Sequence, residues 1–247
     1  MMNRKWKTLL LLTCLPIGCG ENANTKVPPQ ATVEPTQPVP AEPSAHEPSA
    51  LQDQSVLGEI DWLVRAGFYD KADLMRIICD EIYYDSNLDA DQVSAAIDKR
   101  IKAWMQTQKT WPKVTDCDKL DQVFAKLNER GIIALQNAGN TQSDGYEIFE
   151  DTLKEHPQPT SVIGYCFYHN QDLERVVDGD DLYLAFGPVK AEDEESRGPE
   201  IGKIIRQELE QAGLKVKWDG TFNERIRVTD IVWQKRNPAC RSVDFDS

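Results

Sequence analysis

None of the short signatures that announce a reaction is found in this sequence. It has no GxSxG nucleophile elbow and no HExxH zinc helix, so the common serine and zinc routes to hydrolysis have no support in the primary structure. No pair among the six cysteines has CxxC spacing, which excludes the usual zinc and thioredoxin-type sites. Two near-matches fail on single residues. Asp85, Asn87, Asp89 and Asp91 open like a calcium loop, but Ala90 stands where the sharp turn needs glycine and Ala96 where a bidentate glutamate belongs. Gly198 to Lys203 looks like a phosphate loop, yet it is one residue short and is followed by Ile204 instead of a magnesium-binding hydroxyl. No metal site and no cofactor are therefore expected. Positive charge is also scarce: 28 lysines and arginines face 41 acids, for a net charge of −13. A chain so acidic is repelled by nucleic acid and by anionic headgroups, and neither is an expected partner.

What is present starts with an export signal. Arg4, Lys5 and Lys7 precede Leu9 to Leu12 and an apolar stretch reaching Ile17, a run too short to span a bilayer and laid out like a secretory signal. Gly18 before Cys19 resembles the lipobox of bacterial lipoproteins, although Pro16 replaces the usual leucine at its first position. Residues 1–18 are then the signal peptide and Cys19 the acylated first residue of the mature chain, with Cys14 as the competing assignment. A diacyl group supplies the two chains that stable attachment needs. The membrane thus becomes a partner through the N-terminal lipid, and the protein is placed outside the cytoplasm, at the periplasmic or outer face of a bacterial envelope.

Residues 19–54 are rich in Pro, Glu, Ala, Thr and Ser and hold seven of the fourteen prolines. Such a segment has too little apolar surface to offset its ordering entropy and reads as a disordered tether; His46 within it reads as solvated. Residues 55–247 remain for one globular domain. Four cysteines fall there, Cys79, Cys117, Cys166 and Cys240. An oxidising compartment permits some of them to pair, and the sequence does not assign the pairs.

The centre of that domain is Thr115 to Gly145. Thr115 with Asp118 forms a capping box, Leu120, Val123, Phe124 and Leu127 recur at helical spacing, and Gly131 closes the helix. Ile132 to Leu135 reads as a strand covered on both faces. Before this unit, Val56 to Val64, a segment capped by Asp70, and a segment capped by Asp89 with Gln92 predict a layer of three helices. After it come a helix over Tyr146–His156, a strand over Ser161–Tyr168, a short helix over Asp172–Val177 and a strand over Leu182–Phe186. A helix opened by Pro199 follows, then two strands, Leu214–Trp218 and Ile226–Trp233, joined by an Asp219-Gly220 turn, with a bulge between Val228 and Ile231. The acidic run Glu192 to Glu195 reads as a solvated loop. The order predicts an α/β (or α+β) domain with a mixed sheet of about five strands, crossover helices and an N-terminal helical layer.

Several of these stretches travel together in a known pattern. TDCDKLDQVFAKLNERGIIALQNAGNTQSDG, GYCFYHNQDLERVV, DLYLAFGP, GPEIGKII and WDGTFNERIRV resemble, in this order, an uncharacterised bacterial domain-of-unknown-function family over roughly Leu57 to Arg236. The resemblance implies one intact domain and assigns no catalytic residue.

Function must then be sought where polar residues collect. Gln136 to Asp144 end the first strand and Tyr168 to Asp172 end the second; if those strands are parallel neighbours, both loops open on one edge, where open α/β sheets bind ligands. Asn137, Gln142, Asp144, Tyr168 and His169 are the candidate ligand-binding residues. A histidine beside a carboxylate can act as a general base, which makes His169 and Asp172 the candidates for a hydrolase. The leading reading is a lipid-anchored module that binds an envelope protein or a small polar ligand; the alternatives are that hydrolase and an envelope structural protein.

Overall fold

In a computed structural model of the chain, residues 51–237 are described. The expected signal peptide, Cys19, the part of the expected tether up to residue 50 and Cys240 lie outside them. Pro48–Ser247 is one compact unit. Its described residues carry three apolar cores of their own, so the unit is expected to fold without the preceding segment.

The helical layer comes first. α1 spans Gln54–Ala66, and Asp53 caps it by accepting from Ser55 and Val56; Leu51, ahead of the cap, already packs on the core of this layer. Its apolar stripe buries Val56, Ile60, Leu63 and Val64. Gly67 ends the helix at φ 78°, and a Cβ there would lie 2.6 Å from the Lys235 carbonyl, so both conformation and close approach require glycine. α2, Lys71–Arg76, opens on the Asp70 capping box and runs into a π-helical turn, Ile77–Ile82. α3, Ala90–Gln108, buries Val93, Ile97 and Ile101 against the first two.

The second body is the sheet. α4 (Asp116–Glu129) leads into β1 (Ile132–Leu135), α5 (Gln142–Glu155) crosses to β2 (Gly164–Phe167), and α6 (Asn170–Val177) returns to β3 (Leu182–Pro188). α7 (Glu194–Gln211), β4 (Lys215–Lys217) and β5 (Ile226–Thr229) complete a five-stranded sheet of order β1-β2-β3-β5-β4. β1 and β2 are parallel and the other pairings antiparallel, which makes the sheet mixed, as expected. Period-two alternation sorts the side chains. Ile132, Ala134, Cys166, Tyr168, Leu184 and Phe186 join the core shared with α4, α6 and α7, while Ile133, Tyr165, Phe167 and Ala185 join the core that includes Phe149 of α5. Asn128 seals the outer edge of β1: its amide accepts from Ala134 N at 3.0 Å and donates to Ala134 O at 3.3 Å, giving an exposed strand edge the partner it lacks.

Several boundaries differ from the sequence reading, each for a local reason. α5 starts at Gln142, because Thr141 with Asp144 forms a third capping box; the polar loop is thus shorter than Gln136 to Asp144. α6 starts at Asn170, with Asp172 inside its first turn. α7 begins at Glu194, and Pro199 sits inside it; the acidic run is a short 3-10 turn and a helix start, where negative charge suits the helix dipole. β2 is confined to Gly164–Phe167 by a 3-10 turn at Pro159–Ser161. β4 and β5 pair in continuous register, so no bulge explains the phase shift; Asp230, at φ 53°, turns the chain out of the strand. Their connection runs from Trp218 to Arg225, longer than a two-residue turn.

Beyond that turn, Ile231 to Asn237 forms a strap across both bodies. Trp233 Nε1 donates to Ala66 O at 3.1 Å and Asn237 Nδ2 to Val64 O at 3.2 Å, on α1. Val232 N donates to Asp116 and Gln234 N to the Cys117 sulfur, on α4. Cys79, Cys117 and Cys166 are all free thiols. Burial pushes the Cys117 thiol up to about 12 and that of Cys166 higher still, which makes both packing groups and poor nucleophiles.

Candidate functional site

The parallel pairing of β1 and β2 ends with Leu135 opposite Phe167, so Gln136 and Tyr168 emerge on the same sheet edge. Two backbone bonds staple the loops that follow: Ala138 N to Tyr168 O and Asn170 N to Gly139 O, both 2.9 Å. The side chains here fall into two clusters of different chemistry.

The first is neutral. Asn137 holds a left-handed backbone, φ 51°, which asparagine tolerates better than most residues because its side chain can bond locally. Its Nδ2 donates to the Tyr69 hydroxyl at 2.8 Å, and Asn170 Nδ2 reaches the same oxygen at 3.5 Å. Asn170 Nδ2 also lies 3.5 Å from Asn137 Oδ1. Three separate parts of the chain therefore meet at one phenol: the turn after α1, the β1 loop and the start of α6. Burial raises the Tyr69 hydroxyl above its ordinary range, against the lowering effect of the two amides, so it is a neutral donor at physiological pH. Beside it a chain of bonds runs outward from the core, from Tyr168 Oη to Gln136 Oε1 at 3.0 Å and from Gln136 Nε2 to Asp121 at 2.7 Å, where Lys235 Nζ closes at 2.8 Å. Tyr168 is fully buried, its ring edge-on to Phe124 and Trp233. It holds the loop from below.

The second cluster is charged and closed. Asp172 is 0% exposed, and its Oδ2 lies 3.0 Å from His169 Nε2 and accepts from Arg225 Nη2. Arg225 also donates to Tyr183 O at 2.7 Å and lies over the Tyr183 ring. Burial lowers the His169 pKa; the charge of Asp172 opposes this, Arg225 and Arg175 reinforce it, and Asp144 acts weakly upward. His169 is thus neutral near pH 7. With Nε2 engaged, Nδ1 is the nitrogen left to act, and that atom is buried without a hydrogen-bond partner, as are Asp172 Oδ1 and Arg225 Nε.

Although both loops open on one edge, the candidate residues Asn137, Asp144, His169 and Asp172 do not form one group. His169 meets Asp172, while Asn137 meets Tyr69 and Asn170. Asp144 caps α5, accepting from Asn140 N at 3.0 Å and Thr141 N at 2.9 Å. Gln142 is exposed and reaches the Tyr146 hydroxyl at 3.2 Å. Tyr69, Asn170 and Arg225 complete the two clusters and are not among the residues that the sequence singles out. Asn170 and Arg225 lie in motifs that carry the family resemblance, but nothing in one dimension joins either to its partners. Among the described residues no group of three or more His, Cys, Asp and Glu is placed to hold a metal ion, and no helix is long and apolar enough to cross a membrane.

The fold and this sheet edge define a mixed α/β domain with an amide-lined loop surface. Residues 50–237 match the family described as Domain of unknown function (DUF6891), and the chain belongs to that family. Neither the comparison with curated proteins nor that with solved structures returns a match.

Proposed function

We propose that the protein is an extracytoplasmic binding module, held at a bacterial membrane by a lipid on Cys19, that takes a small polar ligand on the edge formed by Tyr69, Asn137 and Asn170. The observation that carries this reading is the convergence of both amides on the Tyr69 oxygen. An oxygen that accepts twice keeps its own proton to give, and each amide keeps further hydrogen-bonding capacity. Such a set suits a ligand of neutral hydroxyl or amide groups better than an ion. Gln142 borders the surface, while Tyr168, Asp144 and His169 hold its two loops in place.

The test is thermal: melting is followed with polyols, amino acids and short peptides, for the wild type and for Asn137→Ala and Asn170→Ala. A ligand of this class raises the wild-type midpoint, and both variants lose that rise while keeping their fold. An equal rise in the variants removes the site. Anchoring is read separately, since Cys19→Ser moves the protein from the membrane pellet to the soluble fraction. Retention in the pellet contradicts lipidation there.

The rival reading, a hydrolase with His169 as base, draws on the 3.0 Å contact with Asp172. It requires a substrate to reach the buried Nδ1, and it predicts that His169→Gln abolishes hydrolysis measured on ester and amide substrates.

A further inference from the structure

The charge of this protein is unevenly spread. Residues 99–115 contain Lys99, Arg100, Lys102, Lys109 and Lys113 and no acid; removing these five positive charges from the chain's −13 leaves −18 on the rest. The stretch covers the second half of α3 and the turn that leads to α4. Lys99 and Lys102 fall on the side of α3 opposite Val93, Ile97 and Ile101, Lys109 is the C-cap residue just after the helix, and all three are exposed, as is Lys113.

The carboxylates that flank this stretch in the chain are engaged by cations outside it, Asp98 by Lys71 at 2.7 Å, Asp116 by Lys119 at 2.8 Å and Asp118 by Arg236 at 2.7 Å, while Arg100 of the stretch shares Asp61 with Arg65. Among the described residues Lys99, Lys102 and Lys113 form no ion pair. The indole at the end of α3 faces the other way: Trp104 packs on the core of the helical layer with its Nε1 buried, and Trp111 follows it in the turn. Trp104 and Trp111 meet edge to face with centroids 5.3 Å apart, Arg100 lies over Trp104 at 5.2 Å, and Arg236 ties the turn down through the Pro112 carbonyl. Val114 is 51% exposed and Val232, bonded through its N–H to Asp116, is 56% exposed. With Tyr84 they are the exposed large apolar residues among the described residues.

From this segregation we infer that the end of α3 and the turn to α4 form a docking face for anionic lipid headgroups. Uncompensated lysines on the outer side of α3, with the part-exposed Trp111 and the exposed Val114 flanking Lys113 in the turn, match a bilayer interface, where cations meet headgroup phosphates and amphipathic rings sit at the polar boundary. The acidic remainder does not prevent this, because screening confines charge interactions to about 8 Å at physiological salt. Net charge is a property of the whole chain, whereas docking involves one face. The inference is independent of the amide-lined surface and of lipidation, though a lipid on Cys19 would keep the face near a bilayer.

The test uses the Pro48–Ser247 unit, which carries no lipid and no signal residues. It is mixed with vesicles of phosphatidylcholine alone or with phosphatidylglycerol, and sedimentation and tryptophan fluorescence are followed. Binding to the anionic vesicles, weakened by salt and with a blue shift of emission, is expected. The triple variant Lys99→Glu, Lys102→Glu, Lys113→Glu should lose on the order of a hundredfold in affinity, at about fivefold per lysine. Its circular dichroism and melting should match the wild type. Wild-type protein that ignores the anionic vesicles, or a triple variant that binds them equally, overturns the inference; an acidic polypeptide as the true occupant gives the first of these results.

Discussion

Asn170 and Asp172 stand two residues apart in the first turn of α6, yet they serve opposite kinds of surroundings. Asn170 joins Asn137 at the Tyr69 hydroxyl in a neutral, part-buried cluster whose contacts at 3.5 Å are at the limit of a hydrogen bond. Asp172 is fully buried and draws His169 and Arg225 onto one oxygen. Loose and neutral groups can exchange partners at little cost, whereas a buried carboxylate between two basic groups cannot. The difference separates a surface able to receive a ligand from a fixture that holds β3, α6 and the approach to β5 together.

The most severe way to sharpen this contrast is to remove the carboxylate. Asp172→Ala leaves Arg225 and His169 without their anion in a dry site and should cost about 3–5 kcal/mol, read by urea unfolding. A loss below about 1 kcal/mol would mean that the cluster is not the fixture described. Asn128 provides the control for an amide that is fully used. Asn128→Ala opens both backbone groups of Ala134 on the β1 edge and should cost about 1–2 kcal/mol, with no effect on ligand response.

Acid provides a graded version of the first experiment. Burial holds the His169 pKa below its ordinary value, so below the ordinary histidine range the unfolded chain takes up the proton more readily than the folded one. Stability should therefore fall as pH drops through that range and level off once the folded form titrates as well. His169→Gln should flatten this part of the profile. Asp118 behaves differently. Despite partial burial, Thr115 and Arg236 hold its carboxylate below the ordinary value, and the stability this confers is present at neutral pH and lost only in stronger acid. A wild-type profile that is flat across the histidine range would break the account of His169.

The smallest effect on stability belongs to the neutral cluster. Asn137→Gly relieves a left-handed asparagine while removing its amide, so the two changes should nearly cancel, to within about 0.5–1 kcal/mol. The ligand-induced rise in melting should nevertheless disappear. A variant that keeps the rise would move the binding surface elsewhere.

Much of this architecture could be read from residue order, because its causes are local. The capping boxes at Asp70 and Thr115, the glycines closing α1 and α4 and the doubly covered β1 depend on neighbours within a few positions. Errors arose where two local signals competed. Pro199 carries the signal of a helix start, although Glu194 and Glu195 open α7 a turn and a half earlier; Ile231 and Trp233 keep an apolar rhythm after Asp230 has already turned the chain out of β5. Strand adjacency points to the candidate edge but not to its full composition. Asn137 is legible from its place after a buried strand. Tyr69 comes from the helical layer, 68 residues away from Asn137 in the chain, and no spacing rule connects them.

The primary structure was sufficient for the things that follow from short-range chemistry: which segments form helices and strands, that the sheet is mixed, and that polar residues gather after β1 and β2. Folding in three dimensions assigned those polar residues their roles. Whether a carboxylate is a ligand or a cap, and whether a histidine is reachable or enclosed, depends on desolvation and on partners brought from distant parts of the chain. Burial is a property of the packed body, and it separated His169 and Asp172 from Asn137 and Asn170.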